Sequence, residues 1–206
     1  MQAYNKSELE NYFLTEEAKK LYQKKFLSKE QLQNINAQLV QLKSNPNIFF
    51  RIGFFFLGSF LISTIISAFG LILFPLISED FEFIFFFYTI VAYIGLEVLV
   101  RMKFFRHGLD DAFLLSAQFS FLIGIGILTE AVLPVLIAML VLGVFFAIRF
   151  INTISALLAF IGLVGIFFNL IVEHDVMPKF YLSFVGLILA ILVYFFVVHL
   201  SKNQNF

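Results

Sequence analysis

The chain has 206 residues, 61% of them hydrophobic and only 14% charged, with a mean hydropathy of +0.94. A water-soluble domain of that length has too little interior to hide so much apolar surface, which leaves lipid as the solvent for much of the chain. Cys is absent, excluding disulfides, thiolate metal ligands and cysteine nucleophiles, and a net charge of zero gives no pointer to nucleic acid.

The first fifty residues are polar and helix-patterned, unlike a cleavable signal peptide. Three helical patterns are expected within residues 1–47. Leu9, Tyr12 and Phe13 share a face after a capping box from Ser7 to Glu10. Thr15 is placed to cap a second helix, with Ala18, Leu21, Tyr22 and Phe26 as its apolar stripe. Ser28 and Gln31 form another capping box before Leu32, Ile35, Leu39 and Leu42, and Asn45-Pro46-Asn47 stops that helix. Helices this short are marginal alone, so they are expected to pack on each other or on the membrane surface.

From residue 48 onward the chain turns to long apolar runs, and about 20 such residues cross a bilayer. Six spans are predicted, at about 50–77, 83–100, 113–128, 131–148, 153–172 and 180–199. Trp is missing, so Tyr, Lys and Arg must anchor the helix ends. Eight of the 14 Lys and Arg residues precede or open the first span. Arg101, Lys103 and Arg106 lie in the second-to-third loop, Arg149 in the fourth-to-fifth turn and Lys202 in the tail. The alternate loops hold Glu79, Asp80 and Glu82, then Glu130, then Glu173 and Asp175, with Lys179 their only base. Six spans therefore put 13 basic residues on one side, and the positive-inside rule makes that side the cytoplasm. The expected fold is all-α: a cytoplasmic helical module (1–47), a six-helix transmembrane bundle (48–200) and a cytoplasmic tail (201–206).

Small residues recur at helical spacing: Ser59, Ser63 and Ser67; Ser116, Ser120 and Gly124; Ser155, Ala159, Gly162 and Asn169; Ser183, Gly186 and Ala190. In lipid, close backbone approach and interhelical hydrogen bonds bring helices together, so these stripes read as packing faces. The rival reading is a permeation path lined by small hydroxylic residues.

Ionisable residues within spans are costly and hence functional candidates. Glu97 is the clear case, on a polar stripe with Thr89, Tyr93 and Arg101. Either Arg101 pairs with it at i,i+4, or it faces a cavity as a buried acid. The loop from Arg106 through His107 and Gly108 to Asp110 and Asp111 is the densest polar cluster. It offers ligands for a divalent cation or, with Arg101 and Lys103, contacts for anionic headgroups. The structural alternative has Gly108 turning the chain while Asp110 or Asp111 caps the third span. Gln118 and Asn169 are expected to hydrogen-bond between helices, and the Glu173, His174 and Asp175 group to be a solvated loop. Lys19, Lys20, Lys24 and Lys25 read either as a solvated face or as a contact for anionic lipid.

The segment Leu21 to Gln31 (LYQKKFLSKEQ), Asn45-Pro46-Asn47 leading into Arg51-Ile52-Gly53, Glu97 and the HGLDDA stretch from His107 to Ala112 carry a resemblance. Over roughly the first 120 residues the chain resembles Bacteroidota-type bacterial multi-pass membrane proteins of unknown function with a short N-terminal helical module. That resemblance implies an inner-membrane location and transfers no activity. The expected function is a non-enzymatic membrane scaffold or interaction protein, needing no cofactor, whose N-terminal module meets a protein or anionic lipid. The alternatives are a small transporter or channel component, with Glu97, Gln118 and Asn169 lining a path, and an enzyme using Glu97, His107, Asp110 and Asp111.

Overall fold

Long apolar runs in lipid must satisfy their backbone groups internally, and the helix does so within a single segment. The computed structural model describes residues 3–39, 42–45, 47–73 and 82–172, with residues 184, 186 and 187. Among these lie seven helices: α1 (Lys6–Gln23), α2 (Lys29–Gln38), α3 (Ile48–Leu73), α4 (Glu82–Arg101), α5 (Leu109–Thr129), α6 (Val132–Phe150) and α7 (Thr153–Val172). Helices α3 to α7 are each long and apolar enough to cross a bilayer. They coincide with the first five expected spans; the sixth, about 180–199, lies outside the described residues, as do the Glu79–Asp80 and Glu173–Asp175 groups.

The bundle is built around α5, which packs against α3, α4 and α6, while α6 pairs closely with α7. The core joins Ile62 of α3, Ala92 and Leu96 of α4, Leu114 and Ala117 of α5, and Phe146 and Phe150 of α6. Outward positions remain apolar, with Phe49 80% and Leu71 81% exposed, as suits lipid. The α7 stripe of Ser155, Ala159, Gly162 and Asn169 is buried, as expected of a packing face. A Cβ on Gly143 would lie 2.6 Å from the Ala159 nitrogen, and one on Gly162 2.8 Å from the Leu140 nitrogen. Helix α3 departs from expectation. Ser63 and Ser67 are exposed among the described residues, and Ser59 and Ser63 hydrogen-bond to carbonyls of their own helix. Gly58 and Ile62 form the contact face instead, Gly58 lying against Ala112.

The N-terminal region is also simpler than predicted. The first two expected helices are one, because Asn5 supplies the cap by accepting from the Ser7 N–H. Thr15 therefore sits buried in the helix interior and caps nothing. Ser28 and Gln31 do form the capping box. Helix α2 ends at Gln38, well before Asn45, and Leu39 is extended. Asn47 opens α3 rather than closing α2, its side-chain oxygen accepting from the Phe49 N–H.

Both N-terminal helices are tied to the Arg-rich end of the bundle. Ala3 donates to the Arg149 carbonyl at 2.8 Å, and the Tyr4 hydroxyl to the Phe104 carbonyl at 3.0 Å. Lys43 pairs with the 103–105 segment in an isolated parallel bridge. Phe105, 1% exposed, stands edge-on to Tyr4 and Tyr12 and joins the two layers into one core.

Candidate functional site at the basic end of the bundle

The polar residues predicted to carry chemistry divide into two groups. In the first, Glu97 on α4 accepts from Nε and Nη2 of Arg149, at the end of α6, at 2.9 and 2.5 Å. This replaces the expected i,i+4 pairing. Arg101 is the last residue of its helix and points outward, exposed, whereas α6 ends beside α4 and delivers a guanidinium against Glu97. A cation arriving from a packed neighbour needs no bending of its own helix, and two donors on one carboxylate oxygen outcompete a solvated side chain.

The second group begins in the loop after α4. Lys103 and Arg106 take positive φ, and Gly108 has a φ of 106° that disfavours any side chain. A Cβ there would also run into the Arg51 carbonyl, so Gly108 both turns the chain and lets α3 approach. The two aspartates that follow share no task. Asp110 Oδ1 accepts from the His107 and Gly108 N–H groups, both at 2.9 Å, closing the loop in front of the helix. Asp111 Oδ2 accepts from Nε and Nη2 of Arg51 at 2.8 and 2.6 Å, and its Oδ1 accepts from Asn152 at 2.9 Å. Neither is the N-cap, a position Gly108 holds without a side-chain bond. Helix α5 starts at Leu109, a turn before the expected residue 113, so both carboxylates fall inside its first turn, at the positive end of its dipole.

From Asp111 the network continues. Asn152 accepts from the Ser155 N–H at 3.0 Å, closing the first turn of α7, and the Ser155 hydroxyl donates to Gln118 at 3.2 Å. Arg51, Asp111, Asn152, Ser155 and Gln118 thereby link α3, α5 and α7 through one chain of hydrogen bonds. Gln118 serves between helices as expected, though its Nε2 has no partner among the described residues. The signal for Asn152 was present in the sequence, since Asn preceding an apolar run by one residue is a common helix start.

His107 lies against the Phe54 and Phe104 rings, with centroids 4.4 and 4.7 Å away, and its buried Nδ1 has no hydrogen-bond partner among the described residues. Burial pushes its pKa below the ordinary value, Lys43 adding to the effect and Asp110 opposing it. Tyr4 is pushed far above the usual phenol value by burial and then by the charges of Asp110, Asp111 and Glu97, so it acts as a neutral donor. Glu97 thus keeps apart from the loop group, in which Asp110 accepts from the His107 backbone while Asp111 pairs with Arg51 and Asn152. Among the described residues no three His, Cys, Asp or Glu side chains gather as metal ligands do.

Next to the second group is a cavity of about 600 Å³, which sequence reasoning missed. Its apolar walls come from Ile48, Ile52 and Phe55 of α3, Leu114 and Leu115 of α5 and Ile154 of α7. Arg51, Arg106, Asp110, Asp111 and Asn152 supply its polar end, with Tyr4 and Phe105 closing over it. Glu97 is not among its lining residues. No sequence pattern announces a cavity made where three helix ends diverge.

Fold and site together define an all-α protein whose described residues include five helices long and apolar enough to cross a membrane, with segments before α1 and after α2 hydrogen-bonded to its Arg-rich end. No family model, curated protein or solved structure matches the chain.

Proposed function

We propose that the protein is a non-enzymatic scaffold or interaction protein of a bacterial inner membrane, with its Arg-rich end and both termini in the cytoplasm. The observation that carries this reading is the state of α1. Its start is anchored through Tyr4 and Leu9, yet Phe13, Leu14 and Tyr22 on the helix and Phe26 just beyond its end stay exposed, with Lys20, Lys24 and Lys25 among them. Exposed apolar side chains interspersed with cations on a tethered segment make a surface for a protein or an anionic membrane. The ion pairs support the same reading, because Glu97 and Asp111 are each held by an arginine that joins two helices.

Orientation is tested by reporter fusions. Those after residues 108, 150 and 204 should report inside, and those after 80, 130 and 176 outside; one inverted position defeats the six-span arrangement. The role is tested by complementation of a deletion strain. Phe13→Glu with Phe26→Glu should abolish complementation at normal protein levels. Glu97→Gln should retain it. A null from Glu97→Gln, with wild-type melting, would replace scaffold by catalysis or transport.

A further inference from the structure

Two groups in the cavity are left without the partners their chemistry calls for. Asp110 is only 6% exposed, and its Oδ1 takes both loop N–H groups, while Oδ2 accepts no hydrogen bond from the described residues. Arg106 has the Phe105 ring 5.4 Å from its guanidinium and no carboxylate within ion-pair distance among the described residues. A nearly buried carboxylate oxygen and a guanidinium in one cavity ask for a ligand bearing both a cationic donor and an anion. Arg51 also lines the cavity and has N–H groups beyond the Nε and Nη2 that hold Asp111.

The remaining walls specify the rest of the ligand. Helix α3 packs on α5, the start of α7 is bonded to α5 through Ser155 and Gln118, and Ile48, Ile52 and Ile154 at the rim are 58%, 47% and 41% exposed. The cavity is therefore a cleft with an apolar flank at the level where the spans begin, the depth of lipid headgroups. Its volume of about 600 Å³ suits a headgroup with the upper part of one acyl chain.

We propose that this cleft binds a zwitterionic aminophospholipid, its primary ammonium on Asp110 Oδ2, its phosphate on Arg106 and Arg51, and an acyl chain along Ile52, Leu115 and Ile154. A primary ammonium donates hydrogen bonds to a carboxylate, whereas a trimethylated one offers only charge, so the site discriminates phosphoethanolamine from phosphocholine. A purely anionic headgroup can offer its phosphate to the same two arginines but brings no cation to Asp110. This goes beyond the scaffold reading and holds for whichever leaflet the Arg-rich end occupies.

The test is native mass spectrometry of the full chain in detergent, titrated with phosphatidylethanolamine, phosphatidylcholine and phosphatidylglycerol of identical chains, and with inorganic phosphate. Phosphatidylethanolamine should bind about tenfold more tightly than phosphatidylcholine, the worth of one charge-assisted hydrogen bond. Asp110→Asn retains an oxygen for the loop amides and should erase that preference, weakening phosphatidylethanolamine by about tenfold more than phosphatidylcholine. Arg106→Gln should weaken both lipids, and Ile154→Trp, which fills the apolar wall, should exclude both without lowering the lipid-free melting temperature. Equal retention of the two zwitterionic lipids, a preference for phosphatidylglycerol, binding of phosphate as tight as lipid, or an unchanged preference in Asp110→Asn would each overturn the assignment. Should Asp110→Asn fail to fold, the Ile154→Trp result and the wild-type lipid ratio decide it.

Discussion

Arg149, at the end of α6, grips Glu97 of α4 through two nitrogens on one carboxylate oxygen, so two spans distant in sequence are clamped near the Arg-rich end. Both side chains are about one quarter exposed, and the two partners differ in what they can do alone. Arg149 lies near its helix end and can snorkel to headgroups, so Glu97→Gln should cost only about 1 kcal/mol. Arg149→Gln strands the carboxylate within the span and should cost about 2 kcal/mol. The double variant should lose less than the sum by about 1 kcal/mol, read from unfolding in mixed micelles. Arg101→Gln should stay within about 0.5 kcal/mol of wild type, since Arg101 is exposed.

Gly108→Ala brings a side chain to a φ of 106° and pushes it into the Arg51 carbonyl. A loss of about 1–3 kcal/mol is expected from the backbone alone. The Arg51–Asp111 pair sits across the same contact, so the variant should also show faster proteolysis at the 102–108 loop.

The α6–α7 contact is made by backbone proximity at two glycines. Gly143→Val and Gly162→Leu should each lower stability by about 2 kcal/mol or more, because no flexible side chain is there to yield. Gly53→Ala is the control: nothing lies within 4 Å of the added carbon, and stability should hold within about 0.5 kcal/mol.

His107 gives a pH dependence whose sign follows from its lowered pKa. Burial disfavours the imidazolium in the folded protein, so the unfolded chain, titrating near 6.5, binds the proton more readily. Stability is on its plateau above about pH 6.5 and falls as the pH drops through the interval down to the lowered folded value. His107→Phe keeps a ring against Phe54 and Phe104 and removes the titrating group. Unfolding at pH 7.5 and 5.5 should show a larger loss for the wild type than for this variant; equal losses would refute it.

Five spans were legible because uninterrupted apolar runs of membrane length have few other uses, and the α7 packing face because small residues at a spacing of three to four have one main purpose. What the sequence concealed is of another kind. Thr15 looks like a helix start by residue type, but Asn5 had already capped a helix that runs through it. The true start of α5 was hidden because Asp110 and Asp111 look like loop residues, though both are buried, Asp110 bonded to its own loop and Asp111 to the distant Arg51 and Asn152. Glu97 was matched to Arg101 because that partner is visible within one helix; Arg149 becomes its neighbour only when α4 and α6 pack on opposite flanks of a common interior. Periodicity reports which face of a helix is apolar and leaves open which helix it meets.

The seam between the N-terminal segment and the bundle imposes an order of events during synthesis. Tyr4 bonds to a carbonyl one hundred residues later, and Ala3 to Arg149, later still. Helix α1 thus lacks its full seat until four spans have followed it out, the last of them ending at Phe150. Throughout that interval Tyr4 and Leu9 lack the surroundings that bury them in the finished protein. Closing this seam is accordingly a late step in biogenesis, and a nascent chain halted before residue 104 lacks both carbonyls that Ala3 and Tyr4 reach and the partner of Lys43.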